Sequence, residues 1–180
     1  TQSWTGGKRR PQFCDRSVSA TNGETEIEQA VRCLRVGGVV LFPTDTLYGL
    51  GADVFSLPAL KRVFTVKGRP AELALPVLVS GWDQVELVAR DVSETARRLA
   101  RRFWPGPLTL VLPRRAQTPD LVTGGKDTVA VRMPDHAVPL ALAERLGRPI
   151  TGTSANRSGE ADPQTLAAVE AELGGRVDYI

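Results

Sequence analysis

Between residues 24 and 180, short apolar runs alternate with amphipathic stretches, and this alternation restricts the chain to a sheet covered by helices. Residues 24–36 place Ile27, Ala30, Val31 and Leu34 at helical intervals, and Gly37-Gly38 stops the helix. Val39-Val40-Leu41-Phe42 is continuously apolar and partly β-branched, the pattern of a strand buried on both faces, and it delivers Pro43-Thr44-Asp45-Thr46 to its end. Pro58 suits a first helical position, with Leu60, Val63 and Phe64 on the buried face of a helix that stops before Lys67. A strand follows at 76–79. Ser93 caps a helix halted by Trp104-Pro105-Gly106-Pro107, and strands follow at 108–112 and 128–132. Residues 137–146 form a helix closed by Gly147, 149–151 a strand and 163–173 a last helix. The consecutive strands between 108 and 132 exclude a purely doubly wound pattern, so the expected fold is a single α/β domain with a twisted mixed sheet. Its expected span is 24–180, preceded by a flexible basic tail, 1–23, carrying Lys8, Arg9 and Arg10.

Composition removes several function classes. No apolar run approaches the ~20 residues needed to span a bilayer, so no membrane role is expected. Two cysteines, Cys14 and Cys33, make no disulfide framework, and with His136 as the one histidine the usual zinc clusters are excluded. Both point to a reducing, cytoplasmic compartment. A single histidine also excludes a serine triad or a Cys/His dyad, and His136 is expected at the surface or as a helix cap. Gly49 and Gly51 lack the downstream Gly-Lys-Ser/Thr of a phosphate loop, and Gly124-Gly125-Lys126-Asp127 lacks the spacing and the hydroxyl. The net charge of +3 suits a polyanionic partner without reaching the density of a dedicated nucleic-acid binder. Arg97, Arg98, Arg101 and Arg102 share one side of a helix, with Ala96, Leu99, Ala100 and Phe103 on the other. That stripe is either a solvated face or a contact for tRNA or nucleotide phosphates.

Two pairs with the same spacing carry the chemistry. Lys67 and Arg69 flank Gly68, and in an extended segment residues two apart point to one side about 6.5–7 Å apart. Pro70 biases Arg69 toward that conformation. Ser154 and Asn156 repeat the spacing at the end of an apolar strand, where α/β proteins bind ligands. Each pair alone has a plain alternative, an exposed turn or a turn cap. Together they supply what a polyphosphate needs, cations for its oxygens and neutral groups to orient it. Thr44, Asp45 and Thr46, before Tyr48-Gly49-Leu50-Gly51, form a third polar cluster, either a small-substrate pocket or a turn in which Asp45 bonds its own backbone. Arg132 ends a strand as a bidentate partner for a carboxylate or as half of a structural ion pair.

Five segments occur in a particular order: Phe42-Pro43-Thr44-Asp45-Thr46-Leu47-Tyr48-Gly49-Leu50-Gly51, Lys67-Gly68-Arg69-Pro70, Trp104-Pro105-Gly106-Pro107-Leu108-Thr109, Asp127-Thr128-Val129-Ala130-Val131-Arg132-Met133-Pro134 and Thr153-Ser154-Ala155-Asn156. In these the chain resembles the YrdC family of threonylcarbamoyl-AMP synthases, across residues 24–180. The resemblance implies an α/β fold around a large basic cavity, with Lys67, Arg69, Ser154 and Asn156 as a catalytic tetrad. It places L-threonine on Thr44, Thr46 and Arg132, and ATP on Thr128 together with the tetrad. The implied reaction takes L-threonine, bicarbonate and ATP to threonylcarbamoyl-AMP and pyrophosphate, with Mg²⁺ carried by the triphosphate and no metal held by a protein cluster. The product would pass to threonylcarbamoyl-transferase proteins that modify tRNA beside the anticodon, and tRNA or double-stranded RNA is an implied contact. On this reading Lys67 is an exposed pocket lysine that stabilises phosphate charge and contributes little to packing. Two departures stand out. Leu75-Pro76-Val77-Leu78-Val79 lacks a histidine that many relatives carry there. The family's domain also continues past the strand at 177–180 into a glycine-rich segment with a Ser-Thr-Val motif, whereas this sequence stops at Ile180. Two other readings fit the same residues: a carbamoyl-adenylate-forming domain, and a non-catalytic module binding double-stranded RNA or tRNA.

Overall fold

In the β1 strand, Val40–Phe42, and the residue before it, neighbouring side chains enter different cores. Val39 and Leu41 join one apolar cluster, while Val40 and Phe42 join a second. Period-2 alternation sends a continuously apolar run into both faces of a sheet, as its composition requires. Val77 and Leu78 of β3, Val77–Leu78, divide between the same two clusters. The computed structural model describes residues 25–156, 158–159, 163 and 165–180; the expected basic tail and Cys14 lie outside the described residues.

The helices begin and end on the chemistry expected of them. Thr25 and Glu28 form a reciprocal capping box at α1, Glu26–Arg35. The hydrogen bonds from the Thr25 N–H and hydroxyl hold the Glu28 carboxyl below its usual value. Helices α2, Leu57–Lys67, and α6, Ala137–Leu146, both close on glycines in the left-handed region, Gly68 and Gly147. His136 is the N-cap of α6, its Nδ1 accepting from the Val138 N–H at 3.2 Å, which is the capping role expected of it. Between these lie α3, Trp82–Val88, α4, Glu94–Phe103, and α5, Asp120–Thr123, and α7, Leu166–Leu173, comes last.

The remaining strands are β2, Gly49–Gly51, β4, Leu110–Pro113, β5, Thr128–Arg132, β6, Ile150–Thr151, and β7, Thr153–Ser154. They form an antiparallel sheet of order β1-β2-β7 and a mixed sheet of order β4-β5-β3-β6, in which only β3 and β5 run parallel. The two sheets are continuous through one ribbon. Residues 52–54 extend β2 past 149–151, with the Thr151 N–H on the Ala52 oxygen at 2.8 Å and the Val54 N–H on that of Pro149 at 3.2 Å. One core cluster, around Leu60, Val63, Val77 and Val131, fills one face; the other, around Leu34, Leu78, Leu142 and Ile150, lies under α1 and α6. Residues 178–179 add to the edge of β1, where Asp178 accepts the Val39 N–H at 2.8 Å and pairs with Arg62.

Helix α4 departs from its expected packing. Its arginines share a side, but the opposite side is not uniformly core: Leu99 and Phe103 are 40% and 49% exposed, and Ala100 is the helix's buried residue. The small side chains of Ala96 and Ala100 make the core contact. Arg97 lies 5.2 Å from the Trp82 ring centroid, and Arg101 pairs with Glu94 at 3.3 Å. Among the described residues no helix is long and apolar enough to cross a membrane.

The Gly-Leu-Gly strand β2 exists because the Phe42 ring lies across both of its glycines. A Cβ on Gly51 would sit 2.6 Å from that ring and 2.6 Å from the Thr151 carbonyl oxygen. The oxygen belongs to the ribbon and cannot retreat. Gly51→Ala is therefore expected to lose about 1–3 kcal/mol in urea unfolding, whereas Gly175→Ala, which meets nothing within 4 Å, changes stability by no more than about 0.5 kcal/mol.

Candidate functional site

Lys67 is the last residue of α2, and Gly68, at φ 60° and ψ 34°, turns the chain before Arg69. The segment is not extended, so the expected same-side geometry does not arise. A helix end and a left-handed glycine instead aim the two cations at successive residues of another strand. Lys67 is 3% exposed, which corrects the expectation of an exposed pocket lysine. Its Nζ donates to the Ser154 main-chain oxygen at 2.5 Å, the Asn156 main-chain oxygen at 2.9 Å and Asn156 Oδ1 at 2.9 Å. Ser154 Oγ donates to the same Oδ1 at 2.7 Å, and the Lys67 carbonyl accepts the Ser158 N–H at 2.9 Å. Replacing Lys67 therefore exposes buried acceptors as well as removing a charge.

Arg69 reaches one residue further back along the strand. Its NH1 donates to Thr153 Oγ1 at 3.2 Å and its NH2 to the Ala74 oxygen at 2.9 Å. Its Nε is buried without a partner, a donor aimed at no acceptor of the protein. Burial pulls the guanidinium below its usual pKa, although an arginine stays cationic at neutral pH. Lys67, Arg69, Ser154 and Asn156 thus gather at one strand end. Thr153 joins them unforeseen; the hydroxyl before Ser154 was the available signal.

The second cluster sits on the turn after β1. The Thr44 hydroxyl accepts the N–H groups of Thr46 and Leu47 at 3.2 and 3.1 Å and lies 2.6 Å from the Leu47 oxygen. Thr44 closes this turn, the job one reading gave to Asp45. Asp45 instead pairs with Arg132, Oδ1 to NH2 at 2.6 Å, with side chains 16% and 14% exposed. Arg132 also donates from Nε to the Gly106 oxygen at 2.9 Å and from NH1 to Thr46 Oγ1 at 3.2 Å. A guanidinium has five N–H groups, so two remain for a further acceptor. Arg132 is thus half of an ion pair and still able to take a carboxylate. Gly106 was not foreseen as its brace, though the Trp-Pro-Gly-Pro segment marked the loop; the Gly106 N–H bonds the Met133 oxygen at 2.8 Å. Thr128 is exposed and shares the Arg132 face of β5, about 13 Å away along the strand.

The clusters meet across β2 and β7. Gly49 pairs with Ser154, Leu50 with Thr153, and the Ala155 N–H bonds the Tyr48 oxygen at 2.9 Å. A recess of ≈ 160 Å³ opens here, lined by Pro43, Thr44, Thr46, Leu47, Tyr48 and Pro163. That is below the ~300–1,000 Å³ of drug-sized ligand sites, and it suits one small polar molecule.

Comparison with known proteins meets this geometry. The Sua5/YciO/YrdC family profile, described as "Telomere recombination", matches residues 32–180. A threonylcarbamoyl-AMP synthase of Pyrococcus abyssi is 46% identical over 157 residues, 87% of this chain and 46% of that protein. One of Vibrio vulnificus is 37% identical over 158 residues, 87% of this chain and 85% of that protein. The crystal structure of P. abyssi Sua5 complexed with L-threonine superposes with a TM-score of 0.84 at 46% identity, over 87% of this chain and 46% of that one. The chain therefore spans about half the length of the archaeal relative. With the profile covering most of its length and the same fold in a close relative, the chain belongs to the Sua5/YciO/YrdC family.

Proposed function

We propose that this chain carries the adenylate-forming site of a threonylcarbamoyl-AMP synthase. The observation that carries the reading is that β7, with the Ser154–Asn156 couple and the Thr153 hydroxyl bonded by the part-buried Arg69, pairs with β2, the strand that follows the Thr44–Thr46 turn and its small recess, while the Arg69 Nε keeps a proton without a protein acceptor. The L-threonine complex of the Pyrococcus relative supports threonine as the substrate.

L-Threonine would place its carboxylate on the two remaining N–H groups of Arg132, with Asp45 and Gly106 holding the guanidinium and Thr44 and Thr46 beside the substrate. Its amine attacks bicarbonate to give the carbamate, with loss of water. A carbamate oxygen then attacks the α-phosphorus of ATP, forming the new P–O bond as the bond to the β-phosphate oxygen breaks and pyrophosphate leaves. Charge grows on the phosphate oxygens, and the Arg69 Nε, a buried donor without a protein acceptor, would meet it. Ser154, Asn156 and Thr128 would orient the nucleotide. Mg²⁺ would travel with the triphosphate. The adenylate would serve proteins that transfer the threonylcarbamoyl group to tRNA. Proton transfer is secondary here; orientation and charge placement dominate.

Pyrophosphate release is expected with ATP, bicarbonate and L-threonine, and not with carbamoyl phosphate in place of threonine and bicarbonate; the reverse pattern would select the carbamoyl-adenylate reading. Tight binding of double-stranded RNA without ATP turnover would select the RNA module. Arg69→Ala should slow threonine-dependent pyrophosphate release by about 10²–10³-fold while leaving the circular dichroism spectrum unchanged. Arg132→Lys keeps a charge but loses the planar fork, so the KM for threonine should rise about tenfold with kcat little altered in steady-state assays.

A further inference from the structure

The Lys67 ammonium has three protons and no capacity to accept, and three protein oxygens lie within 2.5–2.9 Å of it. Two of the three belong to one residue, Asn156, and the third to Ser154, so the cation grips both ends of a three-residue segment. The Lys67 carbonyl takes the Ser158 N–H, which fastens the chain just beyond it. A phosphate oxygen could reach this ammonium only by displacing one of these buried acceptors. Arg69, two residues away, differs in kind: its Nε is buried and has no acceptor. We propose that Lys67 is a positioning residue, which sets the orientation of Ser154 and Asn156 for the reaction and does not itself meet the phosphates, leaving Arg69 as the cation of the pair that does.

The geometry gives this clamp a chemical consequence. Because an ammonium only donates, the Asn156 amide must turn Oδ1 toward it, and the amide nitrogen is directed away from Lys67. Ser154 spends its proton on the same Oδ1, so its hydroxyl presents lone pairs outward. Lys67 thereby converts two groups that could each donate or accept into one donor and one acceptor of defined position. On the synthase reading, which this step of the inference assumes, the amide nitrogen suits a phosphate oxygen and the serine oxygen suits the N–H of the carbamate.

The test uses the whole chain with ¹⁵N-labelled lysine and arginine side chains. The Lys67 Nζ resonance, assigned by its loss in Lys67→Met, should be visible through slow proton exchange, unlike those of exposed lysines. On addition of ATP the Arg69 side-chain resonances should shift and that of Lys67 should stay in place. A fast-exchanging Lys67 signal, or one that moves with Arg69, would overturn the proposal. In kinetics, Lys67→Met should lower kcat by about 30-fold or more with the KM for ATP within about threefold of the parent. Added to Asn156→Ala, it should cause less than about a further threefold loss, because both act through one unit. Multiplying losses, or a KM for ATP raised about tenfold at unchanged kcat, would instead mark Lys67 as a phosphate ligand. Should Lys67→Met fail to fold, the parent's Nζ exchange and its response to ATP decide the matter, with assignment taken from Lys67→Arg. A parent chain that releases no pyrophosphate with threonine would sink the synthase reading alone, since proton exchange at Nζ reports on the clamp without any turnover.

Discussion

The antiparallel contact of residues 49–54 with 149–154 holds the two sheets and the two polar clusters in register. Its upper part pairs Gly49 with Ser154 and Leu50 with Thr153; its lower part binds Ala52 to Thr151 and Val54 to Pro149. The buried Thr151 hydroxyl adds a bond from the Ala52 N–H at 3.0 Å, so even the side chains of the ribbon complete its ladder. Thr151 to Ala52 also marks where one sheet passes into the other, with Gly152 bonding the Pro76 oxygen at 2.9 Å on the far side. A shift of one residue in this register would turn Ser154 and Asn156 together to the opposite face and carry Thr153 off Arg69, because strand side chains change face at every step. The site is thus a property of strand pairing before it is a property of loops.

Around this ribbon, three cations meet three different fates, and desolvation explains the differences. Lys67 is the most deeply buried, and three protein oxygens within 2.5–2.9 Å match the number of its protons, the solvation a charge needs in order to stay out of water. Arg132 is matched by the Asp45 carboxylate and two neutral oxygens, and it keeps part of its fork for another anion. Arg69 has two neutral acceptors and one buried donor left over. An unsatisfied buried donor is unfavourable in the resting protein, by about 1–3 kcal/mol, and an arriving oxyanion removes that penalty. The residue types suit the work: a compact ammonium fits a three-oxygen cage, whereas planar guanidinium groups present edges to carboxylates and phosphates.

Much of this was legible in the residues. The 137–146 helix with its Gly147 stop and the doubly buried run from Val39 rest on local rules of spacing and capping, which the folded chain obeys; the two pairs of the tetrad were legible by residue type, although the extended geometry expected of Lys67 and Arg69 is replaced by a helix end and a left-handed glycine. Other features depend on contacts across the fold. Gly49-Leu50-Gly51 has poor strand propensity and forms β2 because Phe42 needs the space above two glycines. The period of α4 separated its arginines from its apolar residues correctly, but no local rule says that Ala100 packs while Phe103 is left half exposed. The fate of Lys67 was hidden for the same reason. Its three acceptors stand some ninety positions later, two of them are main-chain oxygens, and main-chain oxygens carry no signature in a sequence.

Rigidity beneath the polar groups follows from how closely the glycines are packed. A methyl group on Gly152 would strike the Leu78 side chain at 2.4 Å, and one on Gly49 would strike the Phe42 ring at 2.8 Å. Leu78 and Phe42 belong to the core under α1 and α6, so that core presses directly on the backbone that carries Ser154 on one strand and the Thr44 turn on the other. Chemistry that relies on orienting an amino acid, a carbamate and a triphosphate gains little from mobile catalytic groups and much from fixed ones. Fixed backbone alone leaves side chains free to rotate. Lys67 removes that freedom from Asn156, Asn156 removes it from Ser154, and Asp45 with Gly106 removes it from Arg132. Asn156, Ser154 and Arg132 are therefore each held at a second point, and that double attachment links an ordinary α/β core to the fixed placement that the proposed reaction would require.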